Sequence, residues 1–332
     1  MEVVALVPGR DHASTRYRLV QFVDEFERQG LRLHIEPIAR RWVDRVRQIS
    51  QPRHDQVVIV QRRLLPVWQT MILRRRVGKL VYDFDDAIFL HDSNHPDGLP
   101  SLTRQLRFRA VVSAADLVIA GNSYLADHAR QFTSTARIEV VPTCVNPNTY
   151  EPAKHIERES TRIVWIGSSS TLRSLERAKP ILEGIGQSLP NTELRVICDR
   201  FPRFDHLRVE DCPWSATREK EELRGSDMGL SWMPDDHWSH GKCGLKVLQY
   251  MAAGLPVVAN PVGVHREMID ETHGFLPASP ADWLESVRTL SQSPELRQQM
   301  GRAGRDILRK RFSPQRWGPI VAERLADLDR AA

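Results

Sequence analysis

The chain has 332 residues, 41% of them hydrophobic and 27% charged, the make-up of a globular protein long enough for two cored domains. A formal net charge of +5 suits anionic ligands such as a nucleoside diphosphate, or an anionic membrane face, and singles out neither. The four cysteines, Cys144, Cys198, Cys212 and Cys243, form no CxxC pair, which argues against a disulfide framework or a thiolate metal cluster and for reduced thiols in the cytoplasm.

In chain order, MEVVALVPGR reads as a strand running into a turn rather than a signal peptide. Strands are expected at 3–7, 31–38, 56–61, 79–84, 117–120 and 138–141, with a helix over 18–29 that stops at Gly30. Gly9 closes the first strand, where a nucleotide-binding fold brings backbone close to ligand, and Arg16 and Arg18 follow within reach of a phosphate or merely of solvent. The segment 64–76, LLPVWQTMILRRR, with Arg104, Arg107 and Arg109, could press the domain onto anionic lipid; a core-facing amphipathic helix is the simpler reading. Asp83, Asp85 and Asp86 end a strand on the ligand side of such a sheet. Asp85 or Asp86 is a candidate for acceptor hydroxyl binding or general-base help, against helix N-capping by Asp86. The run 110–120 is too short to span a bilayer and contains Asp116.

A polar, proline-bearing stretch over 146–161 reads as a linker, after which strands recur at 162–166, 193–198, 228–232 and 256–259. Helices are expected over 172–188, 245–253, 280–291, 294–311 and 314–328. The densest signal is Gly241–Gly263, GKCGLKVLQYMAAGLPVVANPVG. A glycine-flanked loop opens a helix whose first-turn amides lack internal partners, an arrangement that attracts anions. Lys242 and Lys246, four apart, are expected on one face at that end, with a phosphate between them; the alternative is two solvated lysines and a plain turn at Gly244. His240, beside Gly241, could approach a sugar or simply be exposed.

The run GLKVLQYMAAGLPVVANPVGVHREMI, followed by HGFLP, resembles the donor-site signature of the GT-B glycosyltransferase family commonly numbered four (glycosyl transferase group 1). AADLVIAGNSYLADHA, VVPTCVN, WIGSSS and MGRAGRDILRKRFS resemble further pieces of that family in the same order. The resemblance implies an α/β protein of two Rossmann-like domains facing a cleft: an acceptor domain over 1–150, a donor domain over 151–313, and a C-terminal helix over 314–332 crossing back to the first. It implies a nucleoside-diphosphate sugar as donor and a hydroxyl acceptor on a glycan or lipid-linked glycan, in cell-envelope or exopolysaccharide synthesis. It also implies retention, no metal and no cofactor; no nucleic-acid partner is expected.

Three departures stand out. Gln249 takes the place of a donor-binding glutamate, and its usual partner position falls near Gly241. Ser168 replaces an arginine that often follows the glycine equivalent to Gly167, and Ser174 lies near a lysine position, with Arg173 adjacent. Lys242, Lys246 and Arg173 are therefore expected to supply the positive charge for the diphosphate, with Lys246 stabilising the leaving group and Gly263 closing the site. A non-catalytic GT-B subunit, or a nucleotide-sugar epimerase, is the alternative function.

Overall fold

The computed structural model describes residues 1–330. Runs rich in valine and isoleucine form two six-stranded sheets, every pairing in them parallel. β-branched residues buried on both sides of a strand favour this architecture, because crossover helices cover both faces.

The first sheet contains β1 (Glu2–Val7), β2 (Arg32–Pro37), β3 (Arg53–Gln61), β4 (Val77–Phe84), β5 (Leu117–Ala120) and β6 (Arg137–Val140), in the order β2-β1-β3-β4-β5-β6. Its sequence order reverses between β1 and β3, which opens the ligand crevice of a doubly wound sheet beyond the carboxyl ends of those strands. One face is covered by the helices Trp42–Ser50, Val67–Arg76 and Leu102–Ala114, anchored through Ile49, Leu73 and Phe108. The other face buries Phe22 and Phe26 together with Val321 and Leu325 of the C-terminal helix Pro314–Arg330.

The second sheet contains β7 (Thr161–Ile166), β8 (Thr192–Cys198), β9 (Arg208–Pro213), β10 (Met228–Ser231), β11 (Val257–Ala259) and β12 (Gly274–Phe275), in the order β9-β8-β7-β10-β11-β12. This is the Rossmann order 3-2-1-4-5-6, with its switch point between β7 and β10. The helix expected over 172–188 is two helices, Ser169–Arg177 and Lys179–Ser188, because Pro180 at a first-turn position starts a new one.

The chain forms two compact units. One comprises Met1–Cys144, Asp236–Cys243 and the chain from Pro314 onward; the other comprises Val145–Asp235 and Gly244–Ser313. Asp236–Cys243 belongs to the first unit because Asn122 Nδ2 donates to His240 O and Lys242 O at 3.1 and 3.0 Å, and because Gly241 lies directly on Ala87. The stretch expected as a linker is fixed to the second unit: Arg305 donates to Pro147 O and Tyr150 O, and Arg297 donates to Ile156 O. No described helix is long and apolar enough to cross a membrane.

Candidate functional site

At the switch point of the second sheet, β7 and β10 pair only at Ile163–Met228 and Val164–Gly229 and then part. Tyr250, from the helix Leu245–Ala252, fills the fork: its hydroxyl accepts from Ile166 N at 3.1 Å and donates to Leu230 O at 3.0 Å. Its ring occupies the space where a side chain on Gly229 would stand. One turn earlier on the same face, Lys246 lies with Nζ 4.1 Å from the centre of the Trp165 ring and 3.4 Å from Thr171 Oγ1. Trp165 curls up from β7 under Gly167, where a Cβ would come within 2.3 Å of the indole. Gly167 therefore stays glycine for close packing under the loop.

Gly244 caps the Lys246 helix in the left-handed region at φ 67°, and a Cβ there would lie 2.5 Å from Met268 Sδ. No side chain caps this helix and no acidic residue sits in its first turn. Its leading amides and Lys246 thus present positive potential beside the end of β7. The neighbouring helix Ser169–Arg177 differs, because Asp199 Oδ1 already takes the Ser169 amide at 2.7 Å.

The opposite wall is a polar clip absent from the sequence reading. His265 is buried, with Nδ1 2.9 Å from Asn260 O and Nε2 3.0 Å from Ser231 Oγ at the end of β10. The Asn260 side chain accepts from Met233 N at 2.9 Å and donates to Met233 O at 2.6 Å. Burial, reinforced by the Lys246 cation and opposed by the Asn260 carbonyl, brings the His265 imidazole down to about 4. A histidine next to Val264 gives no sequence sign of this; the bonds come from the loops that follow β10 and β11.

Six charged groups gather in the first unit at the carboxyl ends of β3 and β4. Arg18 is buried, with Nη2 2.6 Å from Asp83 Oδ1 and Nη1 donating to Val141 O at 2.9 Å. Gln61 and Thr15 extend the network, with Thr15 Oγ1 donating to Gln61 Oε1 at 2.8 Å and Gln61 Nε2 to Asp83 Oδ2 at 3.2 Å. Arg62, in the left-handed region at φ 57°, bonds Asp85 Oδ1 and Ser14 Oγ at 2.9 and 3.1 Å and also pairs with Asp86. Lys242 Nζ lies 2.9 Å from Asp86 Oδ1 and 4.7 Å from the centre of the Trp238 ring.

These contacts correct several expectations. Arg18 neither covers the surface nor extends to a phosphate, because its donors are spent on Asp83 and Val141. Lys242 and Lys246 do not share a helix face: Lys242 stands two residues before the Gly244 cap and is paired to Asp86. Asp86 caps no helix. Asp85 is a poor proton acceptor: burial would raise its carboxyl, but Arg62 and Arg18 outweigh that and hold it below the ordinary range. The first unit also held a residue missed in the sequence, Arg62, whose position directly after a strand beside the switch point was the available sign.

Other expected residues fall as follows. Gly9 follows β1, with open space where a Cβ would stand. Arg16 is half-buried, its guanidinium carbon 5.3 Å from the centre of the Tyr17 ring. His240 ends the short helix His237–His240, edge-on to Tyr124 at 5.7 Å. In the second unit, Ser168 and Arg173 are exposed at the start of the helix after β7, Gln249 is buried, and Gly263 lies in the turn leading to the helix His265–Met268. Among the described residues no group of three His, Cys, Asp or Glu side chains converges as a metal site.

Comparison with known proteins converges on one class. Residues 173–324 match the family model described as glycosyl transferase-like. Over its whole length the chain superposes on the sucrose-phosphate synthase of Thermosynechococcus elongatus, covering 100% of both chains at a TM-score of 0.73 and 13% identity. The chain has the GT-B fold. The chain also aligns with HepE of Anabaena in complex with UDP, over 98% of its own length and 100% of HepE, with a TM-score of 0.69 and 16% identity. The HepE complex with UDP-glucose aligns over the same shares at 15% identity and a TM-score of 0.69. No curated protein matches it in sequence. At these identities the solved structures speak for the fold, and the family match covers the second unit's Lys246 helix.

Proposed function

We propose that this protein is a glycosyltransferase that moves a sugar from a nucleoside-diphosphate sugar to a hydroxyl of a glycan acceptor in the cytoplasm, with retention and without a metal. The observation that carries the reading is Lys246, held over Trp165 at the switch point beside the uncapped amides of its own helix. In the reaction the bond between the anomeric carbon and the phosphate oxygen breaks, and a bond to the acceptor oxygen forms. The departing diphosphate gains negative charge, which Lys246 and the first-turn amides stabilise where it develops. The acceptor proton passes to the leaving phosphate, so no side-chain base is required, in keeping with the ion-paired state of Asp85 and Asp86.

Gly9, Gly167, Ser168, Arg173, His240, Gln249 and Gly263 are the further donor-binding residues of this reading, and Arg16 is an acceptor or phosphate contact. Uridine is the favoured base, since the HepE complexes hold UDP and UDP-glucose.

Thermal unfolding with UDP-, GDP-, dTDP-, ADP- and CMP-linked sugars tests the donor. A bound donor at a hundred times its Kd stabilises by about 2.7 kcal/mol, and a UDP-sugar is expected to give the largest upward shift. No response to any of them would leave the non-catalytic reading, to which the Ser168 and Gln249 departures point. Lys246→Ala is expected to lower turnover by about 10²-fold with the fold intact. Near wild-type turnover would remove Lys246 from the mechanism.

A further inference from the structure

The helix Val67–Arg76 is turned inside out. It buries Gln69, Thr70 and Leu73. Arg45 Nε donates to Gln69 Oε1 at 2.9 Å, and Thr70 Oγ1 donates to Pro66 O at 3.4 Å. Trp68 and Met71 meanwhile stand 49% and 52% exposed. A core-facing amphipathic helix does the reverse. Both helices packed beside it share the habit: Trp42 is 65% exposed, Leu102 80% and Leu106 59%. All three helices lie on one face of the first sheet, so these side chains form a neighbourhood on that unit rather than scattered single exposures.

The charge of this neighbourhood is equally one-sided. Residues 40–50, 63–76 and 101–114 contain eleven arginines, no lysine and a single carboxylate, Asp44. The chain as a whole carries only +5, so the remainder of the molecule is net acidic. Arg41, Arg63, Arg75, Arg76 and Arg109 are exposed.

We infer that this face docks on an anionic lipid bilayer. Trp42, Trp68, Met71, Leu102 and Leu106 enter the headgroup and upper acyl region, where an indole body is accommodated. The arginines meet lipid phosphates. A second copy of the chain is a poor occupant, because pairing two such faces would set eleven arginines against eleven. The inference does not depend on the donor reading: vesicle binding and nucleotide binding are separate measurements on separate residues.

The test is flotation of the full chain with vesicles of phosphatidylcholine alone and of phosphatidylcholine with phosphatidylglycerol. Binding is expected only to the anionic vesicles and is expected to weaken with added salt. Trp42→Ser/Trp68→Ser and Arg75→Glu/Arg76→Glu are each expected to weaken it roughly tenfold or more. These side chains are exposed, so both pairs should keep the wild-type unfolding temperature and nucleotide response. Equal binding to neutral vesicles would overturn the inference, as would no binding to either kind or binding indifferent to both pairs. So would a dimer in gel filtration that the tryptophan pair dissolves while the wild type ignores anionic vesicles.

Discussion

His265 is fixed in one tautomer by its two partners. Nδ1 faces a carbonyl oxygen, which only accepts, so the proton sits there and Nε2 receives the Ser231 hydroxyl. Burial first, and the Lys246 cation second, lower its pKa from 6.5 to about 4, against the raising effect of the Asn260 carbonyl. The unfolded chain therefore binds a proton between those values that the folded chain refuses. The stability His265 contributes is fully present above pH 6.5 and is lost as the pH falls towards 4, by roughly 3 kcal/mol in all. In His265→Gln this part of the acid slope should vanish, although the variant starts from a lower stability because it loses the clip. His12, His128 and His155, also shifted down by burial, remain as background in both proteins. Urea unfolding across pH 4 to 7 checks this, and identical slopes for the two proteins would show that the imidazole does not titrate there.

At the level of elements, Tyr250 bridges β7 and β10 where they part at the switch point of the second sheet. Tyr250→Phe leaves Ile166 N and Leu230 O without their partner at the point where β7 and β10 separate. The expected loss is roughly 2 kcal/mol of unfolding free energy, with weaker donor binding measured in the same variant. Unchanged stability would mean that water replaces the phenol without cost. Little of this fork was legible beforehand, although the strands around it were. Val3–Val7, Leu117–Ala120 and Met228–Ser231 announce themselves as short apolar runs because both their faces are buried. β9 did not, because an edge strand reading RVEDCP is polar and draws its regularity from β8. β12 is two residues long and has no periodicity to detect. Lys246 was legible from the helix start at Gly244, whereas Lys242 was misplaced because spacing in the sequence cannot show that Gly244 turns the chain left-handed between them. Arg18 was misread for a related reason: its near neighbours in sequence include no carboxylate, and only the fold brings Asp83 from β4 onto its guanidinium.

On the scale of the whole molecule, the first unit is assembled from three separate pieces of chain, and its last piece arrives only after the second unit is complete. The C-terminal helix buries Val321, Ala322 and Leu325 against the core that holds Phe22 and Phe26, and Gly318 lies so close that a Cβ would come 2.5 Å from Glu25 Cβ. Arg324 adds a charged contact to Glu139 at 3.2 Å. Ending the chain after Ser313 uncovers that apolar face, at a cost of about 5 kcal/mol for three aliphatic side chains and their partners. That is a large share of the stability of a single domain. The second unit keeps its full sheet and the helices that cover it in such a truncation, since it ends at Ser313. Calorimetry of the truncated chain should therefore show the first unit melting far earlier or already unfolded, with a second transition near its original temperature. Gly318→Leu, which forces the helix away from Glu25 without removing it, should move the same transition in the same direction by less. If both transitions fall together, the two units unfold as one body and the C-terminal helix stabilises the whole chain rather than the unit it covers.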